Sequence, residues 1–243
     1  MRFFLFLTAL FQSALLGAAS PWDWGFGAKA GFGSSQFTAG PAHPPKPKTP
    51  STNLFAILAA DNGPASVTES PALSGGGGLD LHSGYRGMVE AEIELFWKLR
   101  LAQQSQDLGS GITSNVQYSR EALEGDLMLK LGYPFAVGAA KSLRPFVEGG
   151  AFGNRTLNAV KQYSVSGSQD VKSKAWDGVP NEDWGWIAGL GFEVCLDTRP
   201  GHRGFGQRVA LEARYEDGQK DIDPAGDYEL REKTYMGLLT LSY

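Results

Sequence analysis

Residues Met88 to Leu101, with the sequence MVEAEIELFWKLRL, carry the clearest structural pattern in the chain. Wound as a helix, these residues would form no apolar stripe, whereas a strand places successive side chains on opposite faces. The pattern therefore predicts a β-strand with one apolar and one charged face. The apolar face carries Val89, Ala91, Ile93, Leu95, Trp97, Leu99 and Leu101, and the other face carries Glu90, Glu92, Glu94, Phe96, Lys98 and Arg100.

The same two-residue period recurs along the chain and predicts eight strands. The weakest candidates are the proline-containing segment that begins at Pro145 and the glycine-rich segment that contains Gly75 to Gly78. Glycine weakens a strand, so the second of these has the least strand-like composition. The predicted strands cover residues 22–32, 73–81, 88–101, 123–133, 145–152, 184–196, 208–216 and 234–243.

Short and long connections alternate between the predicted strands. The short ones cover 82–87, 135–142 and 197–205, and the long ones cover 33–70, 102–119, 155–182 and 218–233. Short turns at one end and long loops at the other are typical of barrels in the outer membrane. We therefore predict an all-β fold, an eight-stranded antiparallel up-and-down transmembrane β-barrel with both termini at the short-turn end.

Alternation alone does not say which face is the inside, because a soluble lipocalin-type barrel would hide its apolar face. Glycines decide the question, since they share the charged face, where an exposed glycine would weaken the strand without benefit. Inside a narrow barrel they leave room for long side chains. The glycines on this face are Gly25, Gly27, Gly31, Gly132, Gly150, Gly185, Gly189 and Gly191.

Aromatic residues near both ends of the apolar face point the same way, because outer-membrane barrels carry an aromatic girdle at each interface. The predicted short-turn girdle is Trp22, Trp24, Tyr133 and Tyr243. The predicted long-loop girdle is Trp97, Trp184, Trp186, Tyr215 and Tyr235.

Composition excludes several functional classes. With 22 Lys and Arg against 26 Asp and Glu, and a pI near 5.4, the chain has no basic excess for nucleic acid. Beyond the first twenty residues no apolar run is long enough for a spanning helix. The single cysteine, Cys195, excludes an intramolecular disulfide and a cysteine-based zinc site. We expect no metal and no cofactor.

The N-terminus has the layout of a secretory signal peptide. Arg2 precedes an apolar run from Phe3 to Leu16, which small residues follow up to Ser20. Cleavage after Ala19 avoids placing Pro21 directly beyond the scissile bond. We therefore expect residues 1–19 to be a signal peptide and residues 20–243 to form the barrel domain. The alternative, an uncleaved anchor helix, would have an apolar core that is short for a membrane span.

The segment 143–151, LRPFVEGGA, resembles the proline–aromatic–glycine strand of small eight-stranded outer-membrane barrels of the OmpA/OmpX type. The segment 234–243 is similar to the terminal strand that the barrel-assembly machinery recognises in such proteins. The resemblance implies a bacterial outer-membrane location, with membrane lipid and the assembly machinery as partners. Tyr243 stands where the family usually has Phe, and no peptidoglycan-binding domain follows, so a wall-anchoring role is not expected.

The charged face of such a barrel would fill its interior, because eight strands enclose a space just wide enough for side chains. Charges withdrawn from water persist when they are paired and hydrogen-bonded. We therefore predict a salt-bridge network that plugs the lumen, with a narrow carboxylate-lined ion path as the alternative. The network comprises Lys29, Glu90, Glu92, Glu94, Lys98, Arg100, Glu124, Asp126, Lys130, Glu148, Glu193, Arg208, Glu212, Arg214 and Glu216.

We do not predict an enzyme. His82 has Ser83 beside it, but a hydrolase needs serine, histidine and an acid within hydrogen-bond reach. The predicted topology places His82 and His202 at the short turns and His43 on a long loop, which indicates surface histidines. Cys195 is expected to be a small lumen residue.

The sequence thus predicts a structural or surface-interaction protein whose long extracellular loops contact an extracellular ligand or a host surface. A narrow porin-like pore for small solutes or ions is the first alternative. A secreted, soluble, lipocalin-like ligand-binding barrel is the second. These alternatives differ in what the interior contains.

Overall fold

The computed structural model describes residues 22–42, 67–85, 88–107, 112–137, 141–166, 172–175, 178–196, 207–222 and 228–242. Over these ranges the chain forms strands joined by turns. Within them, no helix is long and apolar enough to cross a membrane. The predicted signal peptide 1–19, His43 and His202 lie outside the described residues.

Eight long strands build the molecule, and two short ones accompany the sixth. The short strands, β5 (Phe135–Ala136) and β7 (Lys172–Ala175), both pair with β6. The long strands are β1 (Trp22–Ala42), β2 (Val67–Tyr85), β3 (Val89–Asp107), β4 (Thr113–Gly132), β6 (Ser142–Val165), β8 (Glu182–Cys195), β9 (Arg208–Gly218) and β10 (Tyr228–Ser242).

The eight long strands close into a ring in which every pair is antiparallel. Each pairs with the next along the chain, and β1 pairs with β10 to complete the ring. This confirms the predicted all-β, eight-stranded, up-and-down barrel. Following paired residues once around the ring leads from Phe26 to Gln36, so the barrel has a shear of ten residues. Eight strands with this shear tilt by about 40° to the barrel axis.

The two faces of the wall are distributed as the glycine argument predicts. On β3, Leu95 is 53% exposed, whereas its neighbour Glu94 is 2% exposed. The same alternation runs along the long strands, with β6 showing it up to Arg155, so the apolar face is outside and the charged face is inside. A soluble lipocalin-type barrel requires the reverse arrangement, and that alternative is therefore wrong for the described strands.

The strands are longer than predicted, and most of the excess lies at the long-loop end, although β2 and β6 are also longer than predicted at the short-turn end. The prediction of a long loop over 102–119 is wrong, because β3 continues to Asp107 and β4 begins at Thr113. The glycine-rich candidate is a full strand of 19 residues, β2. About 9–11 residues suffice for a tilted strand to cross a bilayer. β3 and β4 each continue for about ten residues beyond Trp97 and Leu123, respectively, where they pair with each other and also with β2 and β6.

Inward-facing glycines let large side chains fit inside the ring. A Cβ added at Gly185 would overlap the carbonyl oxygen of Asp217 and lie 2.5 Å from the Phe152 ring. Phe152 is 5% exposed and packs with Met128 and Ile187. The outward-facing Gly153 has no atom within 4 Å of such a Cβ. On the inner face, neighbouring side chains such as Phe152 therefore fill the space beside a glycine.

Gly185→Ala is expected to destabilise the barrel by about 1–3 kcal/mol, because the added methyl group must displace the Phe152 ring or the β8–β9 backbone. Gly153→Ala is the matched control, one glycine to alanine change in the neighbouring strand with open space around it. Urea unfolding of both variants in detergent micelles measures the difference. Equal midpoints for the two variants would contradict this packing.

Candidate functional site

The interior of the ring is the candidate functional site. Every member of the predicted charge network faces inward, and each takes part in at least one ion pair with another inward-facing residue. Most of these side chains are almost completely buried. The network divides along the barrel axis into three groups. The lower cluster, at the short-turn end, contains Glu90, Glu193 and Arg208, and the upper cluster contains Lys98, Arg100, Glu124 and Glu216. The middle cluster contains Lys29, Glu92, Glu94, Asp126, Lys130, Glu148, Glu212 and Arg214.

The middle cluster is organised around two lysines, Lys29 on β1 and Lys130 on β4. The Lys29 ammonium lies 2.6 Å from Glu92 and 2.6 Å from Glu94. The Lys130 ammonium lies 2.7 Å from the other oxygen of Glu92 and 3.0 Å from Glu212. Glu92 thus bridges the two lysines, and β1, β3, β4 and β9 are tied together through their side chains as well as their backbones.

Arg214 completes the middle cluster with the largest number of acidic partners. Its guanidinium donates to both oxygens of Glu94 at 2.7 and 2.8 Å, to Glu148 at 3.1 Å and to Asp126 at 3.2 Å. It also lies 3.3 Å from Glu212. Glu94 and Asp126 stand directly opposite each other on β3 and β4, where two like charges destabilise a strand pair. One guanidinium contacting both carboxylates offsets that repulsion.

The upper cluster repeats this arrangement nearer the long-loop end. Lys98 contacts Glu124 and Glu216, and Arg100 donates to the second oxygen of the same two carboxylates at 2.6 and 3.0 Å. Both oxygens of each carboxylate are therefore paired. Lys98, Glu124 and Glu216 are each at most 1% exposed.

Arg120 extends the upper cluster toward the outer mouth. Its guanidinium donates to Glu232 at 2.9 Å, to the Asn154 amide oxygen at 2.7 Å and to the Thr156 hydroxyl at 3.0 Å. Arg120 is 1% exposed although it lies well above the middle of the barrel. The polar interior therefore continues into the region where the strands exceed their predicted length.

An apolar group covers the upper cluster. Ile222, in the segment that follows β9, is 0% exposed and packs against Tyr118 and Ala102. Asp183 holds this segment, because one of its carboxylate oxygens accepts from the backbone N–H of Lys220 at 3.0 Å. The segment 219–222 therefore lies across the mouth of the barrel.

The lower cluster contains His82, which corrects the prediction of a surface histidine. His82 is 4% exposed and faces inward from β2, with Asp80 at 2.8 Å from its Nδ1 and Arg208 at 2.7 Å from its Nε2. Arg208 also donates to Glu90 and Glu193, both at 2.7 Å. The histidine lies inside because β2 continues through the predicted turn to Tyr85.

The sequence prediction missed the charged residues just outside the predicted strand ends. Extending each strand by two to four residues at the same alternation would have found most of them. Asp80 was also missed, although it lies inside the predicted strand 73–81 and alternates there with Leu79 and Leu81. The residues missed outside the predicted strand ends are His82, Arg120, Arg144, Asn154, Asp183 and Glu232.

These groups do not form a hydrolytic site around His82. A base would use Nε2 to take a proton from a nucleophile, but the Arg208 guanidinium occupies that nitrogen. Ser83 lies on the opposite face of β2 from His82. Cys195, half-buried, is at an inward-facing position of β8, opposite Arg208. Within the described ranges no three His, Cys, Asp or Glu residues are arranged to hold a metal ion.

The aromatic residues of the outer face fall at two heights. With the observed registers, a rise of about 3.3 Å per residue and strands about 4.8 Å apart, the upper group spans about 7 Å along the axis. Trp24 and Tyr133 lie about 20 Å below it. Trp22 begins β1 at this lower end, but its side chain and Tyr243 are outside the described part of the molecule. The upper group is Trp97, Trp184, Trp186, Tyr215 and Tyr235.

Comparison with known proteins finds fold similarity only. No protein-family model and no curated protein sequence matches the chain. Among solved structures, that of Ail, the attachment invasion locus protein of Yersinia pestis, with the heparin analogue sucrose octasulfate has a TM-score of 0.33 and 10% identity, covering 91% of this chain and 99% of Ail. Neisserial surface protein A has a TM-score of 0.30 and 8% identity, covering 88% and 95%.

These matches agree with the predicted resemblance to small outer-membrane barrels. Identities of 10% or less and TM-scores below 0.5 carry no inference about function. The fold assignment rests on the closed ring of eight strands in the chain itself.

Arg214→Ala is expected to destabilise the folded barrel by about 3–5 kcal/mol, because it leaves buried carboxylates without their shared cation. Arg155→Ala is the matched control, since Arg155 is exposed on the outer face of β6. Urea unfolding in detergent micelles measures both. An unchanged midpoint for Arg214→Ala would mean that water already solvates the middle cluster.

Proposed function

We propose that this protein is a bacterial outer-membrane β-barrel with a sealed lumen, whose elongated strands and loops carry a structural or surface-interaction role. The observation that carries the proposal is the combination of an apolar outer wall between two aromatic levels and a highly charged interior. In water such a molecule would expose a continuous apolar surface, which monomeric soluble proteins rarely do. In a bilayer the same surface contacts lipid.

The dimensions of the outer face support a membrane location. Transmembrane barrels carry an apolar band of about 25 Å between two aromatic girdles. The two aromatic levels of this barrel are about 20 Å apart, and the residues between them include Phe26, Ile93, Leu127 and Leu190, each more than 50% exposed. Membrane lipid is accordingly the proposed partner of this band.

The packing of the interior supports a sealed lumen. Three charge clusters follow one another along the axis, with the apolar side chains of Phe96, Met236 and Leu238 packed among them. Above them the Ile222 group covers the outer mouth. A solute crossing the barrel would have to separate several buried ion pairs, each of which is strongly destabilised when one partner is removed. We therefore favour a plug over a pore.

The region above the upper aromatic level is the proposed interaction surface. β3 and β4 rise about 25 Å beyond Trp97 and Leu123, and the β6–β7 pair adds a further wall at this end. A barrel that only needed to cross the membrane would not need this length. The proposed partner is an extracellular ligand or host surface contacted by this region and by the loops that join its strands.

Export and assembly are assigned to the two ends of the chain. We propose that residues 1–19 are a signal peptide cleaved after Ala19. β10 is the proposed recognition strand for the barrel-assembly machinery, because its outer face carries Tyr235, Leu239 and Leu241 and it closes the ring with β1. Protein export in a Gram-negative host would deliver the mature chain to the outer membrane.

A narrow pore is the second candidate function. Acidic groups outnumber basic groups in the described interior, which would favour cations in any water-filled path. This candidate shares the fold and the membrane location with the first. It differs in requiring the charge clusters to be hydrated.

Expression of the full-length chain in a Gram-negative host is expected to yield a band in the outer-membrane fraction that shifts on boiling. A closed barrel resists unfolding in detergent until it is heated, so the unheated sample migrates differently on a denaturing gel. Gly185→Ala, which crowds the interior, should shift at a lower temperature than Gly153→Ala. Recovery in the soluble fraction without a heat shift would refute the membrane location.

Purified protein in planar bilayers is expected to give no discrete conductance steps, because the interior ion pairs leave no continuous water path. A boiled sample is the control for detergent artefacts. Reproducible cation-selective steps would favour the pore.

Treatment of intact cells with protease should cut the loops while the barrel remains protected. Loops that resist protease in intact cells would argue against an exposed interaction surface.

A further inference from the structure

The lower cluster contains a histidine whose two ring nitrogens face groups of opposite character. Asp80 Oδ1 lies 2.8 Å from Nδ1 and can only accept a hydrogen bond when ionised, so Nδ1 carries the proton. The Arg208 guanidinium lies 2.7 Å from Nε2 and can only donate, so Nε2 accepts. The contacts therefore fix one neutral tautomer of His82.

Arg208 joins this histidine to the opposite wall of the barrel. One terminal nitrogen, Nη1, contacts His82 on β2, while the other, Nη2, donates to Glu90 on β3 and Glu193 on β8 at 2.7 Å. Arg208 itself lies on β9. A single side chain thus bridges three strands across the lower end of the lumen, and with 19% of its side chain exposed it is within reach of solvent.

We propose that His82 and Arg208 form a pH-sensitive latch at the short-turn end of the barrel, closed when His82 is neutral and released when it is protonated. Protonation places a hydrogen on Nε2, so that this nitrogen and Nη1 of Arg208 would both be donors. It also places an imidazolium against a guanidinium. The contact is lost, while Asp80 continues to hold Nδ1.

The neighbouring charges allow Arg208 to move away from His82 at low cost. Glu90 stays next to a second cation, because Arg144 donates to it at 3.0 Å and lies 3.6 Å from Glu193. Arg208 can therefore leave His82 without leaving the two carboxylates unpaired. The described groups of the facing strands that can titrate or carry charge are Asp80 on β2, Glu90 and Glu92 on β3, Lys130 on β4, Arg144 on β6, Glu193 and Cys195 on β8 and Arg208 on β9.

Histidine is the group suited to such a latch, because imidazole changes charge between pH 5 and 8. Among the side chains that the structure describes on β1 and β10, those of Gly25 and Ser242 lie beside this end of the lumen, and neither carries a charge. Protonation of His82 is the proposed trigger of the latch. It is separate from the ion pairs of the middle and upper clusters.

Cys195 provides a built-in reporter, because it is the only cysteine in the sequence and occupies an inward-facing position opposite Arg208. The experiment measures the rate at which a water-soluble maleimide labels Cys195 in the folded protein in detergent micelles at pH 7.5 and pH 5.5. Dividing by the rate for glutathione at the same pH removes the pH dependence of a free thiol, and comparison with His82→Gln removes the remaining difference between Cys195 and glutathione. The expected result is a several-fold rise in this relative rate at pH 5.5.

Two variants distinguish release of the latch from a general loosening of the barrel at low pH. His82→Gln retains a side-chain oxygen that can accept from Arg208 but does not titrate, so its relative rate is expected to stay low at both pH values. His82→Asn is too short to reach Arg208, so its rate is expected to be high at both. A wild-type rate that does not change, or a His82→Gln rate that rises in parallel with it, would overturn the proposal.

The tautomer of His82 gives a second test that needs no variant of the latch. Nitrogen-15 spectra of histidine-labelled protein at pH 7.5 should show one histidine with its proton on Nδ1, assigned to His82 by substituting His43 and His202. A proton on Nε2 at this pH is incompatible with the Arg208 contact. That result would overturn the proposal whatever the labelling rates are.

Discussion

Charges buried inside a closed ring of strands must be paired, and this requirement governs the other features of the barrel. A charged group moved from water into a low-dielectric space is costly unless it meets partners with good geometry. Here the ring brings cations from β1, β3, β4 and β9 against carboxylates from β3, β4, β6 and β9. The cations contact carboxylates on several strands. These ion pairs therefore favour the same strand register as the backbone hydrogen bonds.

This constraint explains the composition of both faces. Long charged side chains need space in a ring of eight strands, and inward glycines such as Gly185 and Gly189 provide it, with Glu148 lying where a Cβ at Gly189 would be. The outer face is free of that requirement and carries Leu, Ile, Val and aromatic residues. A barrel with a charged inside and an apolar outside is stable only where its outer surface is removed from water, which links the interior network to the proposed membrane location.

Much of the candidate site could be predicted because strand alternation is a local property. Once Glu90, Glu92 and Glu94 were assigned to one face, their common location inside the ring followed, and the structure places them there. The errors came from strand ends. His82 was assigned to a surface turn because the glycine-rich strand has little apolar signal, and Arg120 was missed because polar residues beyond Leu123 resemble a loop. Strand pairing above the aromatic level extends the strands despite this polar composition.

Strand number, up-and-down order and the face on which each side chain lies were all readable from the amino-acid sequence, because they depend on a two-residue period and on chain connectivity. The pairing of the charges could not be read from the sequence. The contacts of Glu92 with both Lys29 and Lys130, and of His82 with Arg208, depend on the shear of ten residues and on the closure of β1 against β10. Those are properties of the whole ring, because residues far apart in sequence become neighbours only when the last strand meets the first.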